Sequence, residues 1–145
     1  MPISFYAVDV KQPPLKKTVI KKFIAAQALK GAKKKLQVTY IFCSDEYLLN
    51  MNRQFLEHDF YTDIITFPLG ETEKEIEAEI YISVDRVKDN AEKFKSDFSD
   101  ELHRVIFHGV LHLMGYKDKS KADKETMRGK ENEWLRKFKA ALKRV

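Results

Sequence analysis

In this 145-residue chain, the residue types and spacing best suited to chemistry lie in His108-Gly109-Val110-Leu111-His112-Leu113-Met114-Gly115-Tyr116-Lys117-Asp118. On an α-helix, residues four apart differ by a rise of ~6 Å and a rotation of ~40°, so His108 and His112 can converge on one ion. Their neighbours Val105, Ile106, Phe107, Val110, Leu111, Leu113 and Met114 make the segment apolar nearly all round, which predicts a buried helix. Imidazoles inside such a helix need polar partners, because an unsatisfied buried polar group costs ~1–3 kcal/mol. Two readings meet that need: core histidines bonded to backbone or water, and ligands of a metal. The residues that follow favour the metal. Gly115 can take the left-handed conformation that ends a helix, letting the chain fold back so that Asp118 approaches the same point. The resulting H-x-x-x-H-x-x-G-x-x-D spacing is that of extended zinc-protease motifs, with aspartate where their third histidine stands. Two histidines, a carboxylate and an open fourth position describe a catalytic zinc site. The glutamate that serves H-E-x-x-H peptidases as general base is replaced by Gly109. That disfavours peptidase chemistry of this type and leaves a hydrolase whose base comes from another element.

The elements that must hold this helix can be read along the chain. Ile3 to Val8 predicts a short strand, Leu15 to Lys30 a helix stopped by Gly31, and Leu36 to Phe42 a strand rich in β-branched and aromatic residues. Ser44 caps a helix carrying Tyr47, Leu48, Met51, Phe55 and Leu56. Asp63 to Pro68 reads as a strand stopped by proline and Gly70, able to form a hairpin with an alternating strand from Ile76 to Val84. A short amphipathic helix follows from Asp85 to Phe94. Ser99-Asp100-Glu101 opens the helix of the two histidines, and Ser120 to Lys143 predicts a long charged helix burying Met127, Trp134, Leu135, Phe138 and Leu142. The order βαβαββααα predicts an α+β (mixed α/β) fold, a single mixed four-stranded sheet covered by helices with a zincin-like metal helix. No repeat, low-complexity tract or linker interrupts it, so residues 1–145 read as one domain.

With 43% hydrophobic and 34% charged residues, the chain carries enough apolar material to exclude a natively disordered protein. No stretch approaches the ~20 apolar residues of a membrane span, and Met1 to Asp9 lacks the pattern of a signal peptide, so a cytoplasmic protein is expected. The lone Cys43 excludes an internal disulfide and a thiolate zinc site. The formal net charge of +5 conceals a polar distribution. Residues 1–35 hold nine lysines and one acid, residues 36–116 seven basic and sixteen acidic groups, and residues 117–145 eleven basic and five acidic groups. Basic ends around an acidic middle fit either solvated helix faces or a polyanion-binding surface.

The histidine segment resembles the YbeY family of bacterial rRNA-maturation endoribonucleases, matching its H-G-x-L-H-L-x-G-Y-D-H hallmark at His108, Gly109, Leu111, His112, Leu113, Gly115 and Tyr116. Met51-Asn52-Arg53-Gln54-Phe55 followed by Asp59 to Pro68 is similar to the family's L-N-x-x-Y-R-x-x-D-x-P-T-D-V-L-S-F-P block, and Glu79 to Ser83 to its G-D-I-x-I-S segment. The resemblance spans about residue 36 to Glu133. Three positions depart from it: Asp118 replaces the third ligand histidine, with Lys117 at the preceding Asp; Leu56 takes the place of an arginine thought to act on the RNA; and Glu79 stands for Asp.

The resemblance implies a zinc-dependent, single-strand-specific endoribonuclease of ribosome biogenesis, acting in late maturation of the 3′ end of 16S rRNA and in ribosome quality control. Ribosomal RNA and the small ribosomal subunit would be its partners. One Zn2+ per chain would be held by His108, His112 and Asp118, and a metal-bound water or the ion's Lewis acidity would act at the phosphodiester. Arg53 is a candidate catalytic arginine, and Lys117 and Lys119 are candidate phosphate contacts, each also readable as an ordinary solvated charge. Two other classes compete: a metal-stabilised ribosome-assembly protein without cleavage, suggested by Leu56, and a metal-dependent hydrolase of another substrate, weakened by Gly109. His58 and His103 lack metal spacing to the pair and read as surface or packing residues. Trp134 and Phe138 read as helix packing, while Thr62, Asp63 and Thr66 help shape the cleft.

Overall fold

The computed structural model describes residues 2–144, along which the elements run β1 (Ile3–Ala7), α1 (Lys17–Ala32), β2 (Lys35–Cys43), α2 (Asp45–Leu56), β3 (Ile64–Glu71), β4 (Glu75–Ser83), α3 (Val84–Lys93), α4 (Phe98–Leu113) and α5 (Lys121–Lys143). The strands form a sheet in the order β1-β2-β4-β3. β1, β2 and β4 are mutually parallel, with Val38 opposite both Ile3 and Ala78, while β3 returns antiparallel to β4 as a hairpin. This is the mixed sheet that the alternating apolar residues predict.

Alternation assigns the two faces. Leu36, Val38, Tyr40 and Phe42 of β2 and Ile76, Ile80 and Ile82 of β4 point into one buried cluster. That cluster is shared with Ile20, Phe23 and Ile24 of α1, Val105 to Phe107 and Val110 to Leu111 of α4, and Met127, Trp134, Leu135 and Phe138 of α5. The opposite face is covered by α2, whose Leu48 packs with Cys43 and Ile65. Phe107, Trp134 and Phe138 meet edge to face around Phe23, fixing α4 against α5. A buried hydrogen bond from the Tyr40 hydroxyl to the Ile106 carbonyl, 2.9 Å, ties α4 to the centre of the sheet.

Two boundaries differ from the sequence expectation. α1 passes through Gly31 and ends at Lys33, which takes the left-handed conformation at φ 57°. Gly31 instead lies against Met114, where a Cβ would stand 2.5 Å from the thioether methyl. β3 continues beyond Pro68 to Glu71, with its register broken between Pro68 and Gly70. As an edge strand, β3 tolerates a residue that cannot donate to the ladder. Among the described residues, no helix is long and apolar enough to cross a membrane.

Candidate metal centre

α4 is pressed directly onto the sheet at the residue that follows its first histidine. A Cβ on Gly109 would come within 2.8 Å of Ile80 Cδ1 and 3.1 Å of Ile64 Cδ1, so this position faces the sheet and has no room for a base. His108 and His112, on the neighbouring helical positions, line a cleft of ≈ 440 Å³. Its wall is completed by Thr62, Asp63 and Thr66 at β3, Asn90 of α3, Arg104 of α4, the loop residue Asp118, and Arg128 and Glu131 of α5.

The end of α4 brings Asp118 into place. Tyr116 N–H donates to the Leu111 carbonyl and Gly115 N–H to the His112 carbonyl, both at 3.1 Å, while Gly115 takes φ +106°. This pair of bonds is the Schellman arrangement, and it requires a residue at ease with positive φ. The chain then doubles back until an Asp118 carboxylate oxygen lies 3.4 Å from His108 Nε2. Immediately beyond, Ser120 and Asp123 form a capping box that starts α5.

Hydrogen bonds define the protonation of both rings. His108 Nδ1 lies 2.8 Å from a Glu131 carboxylate oxygen, and His112 Nδ1 lies 3.1 Å from the Tyr116 carbonyl. Both acceptors lack protons, so each Nδ1 carries one, and in the neutral ring each Nε2 presents its lone pair. This is the tautomer of a metal-ligating histidine supported from behind. Two ligands ~2.0–2.1 Å from a tetrahedral ion are about 3.4 Å apart, which matches the His108–Asp118 separation. Among the described residues, no group of three or more His, Cys, Asp or Glu side chains is placed to hold a metal ion. The His108–Asp118 pair has the donor chemistry of metal ligands, and His112 lines the same cleft.

Glu131 is the residue that the sequence reading did not single out. It is 5% exposed, and its second oxygen accepts from Arg104 Nη1 at 3.0 Å while Arg104 Nη2 donates to Asn132 at 2.8 Å. Burial alone would favour its neutral form, but the bonds from His108 and Arg104 outweigh burial and hold its pKa below the usual carboxylate range. For His108, burial is again the largest influence and disfavours the charged ring. The Glu131 hydrogen bond and the charges of Glu131, Asp118 and Asp63 together override it, raising the pKa. Asp63, across the cleft, is pushed up by burial, with the His108 charge opposing.

The chain is similar to known proteins over most of its length. The sequence profile of the family Endoribonuclease YbeY matches residues 6–139. An Endoribonuclease YbeY from Cytophaga hutchinsonii is 51% identical over 138 residues, covering 94% of this chain and 96% of the relative. One from Parabacteroides distasonis is 47% identical, covering 93% and 94%. The chain belongs to the endoribonuclease YbeY family. A Thermotoga maritima protein solved in solution shares the fold at 26% identity and a TM-score of 0.58, over 97% of this chain and 91% of its own.

Within this YbeY fold the other sequence candidates are dispersed. Arg53, near the end of α2, is paired with Asp59 and does not line the cleft. Lys117 and Lys119 are exposed on the loop around Asp118, also outside its lining. His103 packs on Phe138 with ring centroids 4.8 Å apart, and His58 stacks on Phe60 at the surface. Glu131 did leave a signal in the sequence. It sits on the buried stripe Met127-Glu131-Trp134-Phe138, and an acid at a core position calls for a buried partner.

Proposed function

We propose that this chain is a zinc-dependent, single-strand-specific endoribonuclease of the cytoplasm that acts on small-subunit ribosomal RNA, including its 3′ end, with the metal held by His108, His112 and Asp118. The endoribonuclease assignment follows from family membership. The observation that carries the metal reading is the pair of imidazoles whose Nδ1 protons are committed and whose Nε2 atoms are left for an ion. When bound, zinc supplies positive charge and Lewis acidity beside the scissile phosphodiester. Glu131 keeps the proton on His108 Nδ1 and fixes that ring's orientation, with Arg104 clamping the carboxylate from behind. Asp63, half-buried in the same cleft, holds its proton more readily than an ordinary carboxyl and is the group suited to exchange one with substrate oxygens.

Purified protein should carry close to one zinc per chain and cut unstructured RNA. His108→Ala should lose both properties, and Asp118→Ala should weaken metal binding with the fold intact. Metal analysis alongside a cleavage assay checks this. RNA left whole by the zinc-loaded protein, or full activity without metal, would overturn the reading.

A further inference from the structure

Two guanidinium groups line the cleft, those of Arg104 and Arg128. Arg104 is occupied, donating to Glu131 and Asn132 at 3.0 and 2.8 Å. Arg128 is not. Its side chain is 56% exposed, and its nearest acid oxygen, on Glu131, is 3.7 Å away and already accepts from Arg104. Arg128 also belongs to a second, shallow depression on the outer side of α5, lined with Lys121, Lys124, Glu125, Gly129 and Asn132. It is the residue that the cleft and this shelf have in common.

Lys121, Lys124 and Arg128 fall within about 60° of one another around the helix, so they form a single stripe. All three are exposed, and Glu125 is the one acid lining the shelf. Gly129 leaves the floor bare, since a Cβ there would have nothing within 4 Å. An open basic track that begins at a catalytic cleft fits a flexible polyanion threaded through both.

We propose that the first half of α5 carries the flank of the RNA chain out of the cleft, with Arg128 contacting a phosphate at the junction and Lys121 and Lys124 contacting phosphates beyond it. This inference rests on the endoribonuclease reading and adds to it the path of the substrate. The polymer that enters the cleft must pass Arg128 to leave on this side, which selects RNA over an acidic protein segment.

The test uses zinc-loaded protein and unstructured RNAs of roughly 20 and roughly 4 nucleotides, the short one filling the cleft alone. Arg128→Gln should raise KM by about tenfold on both substrates, the loss of one charged hydrogen bond, with kcat nearly unchanged. The double variant Lys121→Gln, Lys124→Gln should raise KM on the long RNA only. With all three neutralised, the slope of log kcat/KM against log salt should flatten by roughly 2 on the long RNA, at ~0.7 per phosphate contact. Zinc content and thermal midpoint should match wild type, because the three side chains are exposed. Wild-type cleavage with unaltered KM and salt slope in the variants overturns the track, as does an equal effect of the double variant on both lengths. Wild-type protein that cuts neither RNA removes the endoribonuclease reading itself, and the track with it.

Discussion

On the metal reading proposed above, Glu131 governs when His108 is available to the ion. A bound ion needs the neutral ring, and the Glu131 carboxylate raises the His108 pKa, so metal binding must compete with a proton held beyond the ordinary histidine value of about 6.5. Metal affinity should therefore rise with pH and level off only above that value. In Glu131→Gln the largest influence raising the His108 pKa is gone, so the affinity should level off at a lower pH. The plateau itself should fall by about 10–100-fold, because the ring loses a basic, orienting partner. Chelator competition across a pH series measures both effects, and an unchanged plateau would show that Glu131 only fills space. The histidines and Asp118 were legible in the sequence because their spacing on a helix and turn is local. Arg104 and Glu131 lie 27 positions apart and meet only once α4 and α5 have packed, which no spacing rule captures.

The helix that carries the two histidines, α4, is held at both its middle and its end. At its middle, Gly109 allows α4 to lie on Ile80 and Ile64. Gly109→Ala would force a methyl group into that contact and should destabilise the protein by about 1–3 kcal/mol, the usual cost of overpacking a core. Urea unfolding checks this, and an unchanged midpoint would mean that the sheet yields. At its end, Gly115→Ala would place a β-carbon on a backbone held at φ +106°. A loss of about 1 kcal/mol is expected, together with weaker metal binding as Asp118 drifts from His108; metal titration of the folded variant separates the two effects. Element order was legible because each segment keeps its own period, and helix ends with a capping residue such as Ser44 or Ser120 were well marked. Local punctuation misled where packing overrode it. Gly31 resembles a helix stop but serves the contact with Met114, and Pro68 resembles a strand stop but sits on an edge where its missing N–H costs little.

At the scale of the whole molecule, the sheet gives the charge pattern a shape. Sequence order does not reveal that β4 inserts between β2 and β3, because strand order depends on crossovers far longer than any periodic window. Nor does it reveal that α1 and α5, from the two basic ends, pack against each other in the layer that also contains α4. The two basic ends of the chain thus come together on one side of the sheet. Two kinds of cation follow from this arrangement, those that touch RNA and those that attract it from a distance. Lys17, Lys22 and Lys30 of α1 are exposed and lie outside the cleft lining, so they belong to the second kind. Replacing all three with glutamine should lower kcat/KM several-fold at low ionic strength and leave kcat alone, because only encounter is slowed. The deficit should fade as salt shortens the screening length from ~10 Å at 0.1 M toward ~3 Å at 1 M. A deficit of equal size at every salt concentration would instead place these lysines in direct contact with the RNA and extend its binding surface onto α1.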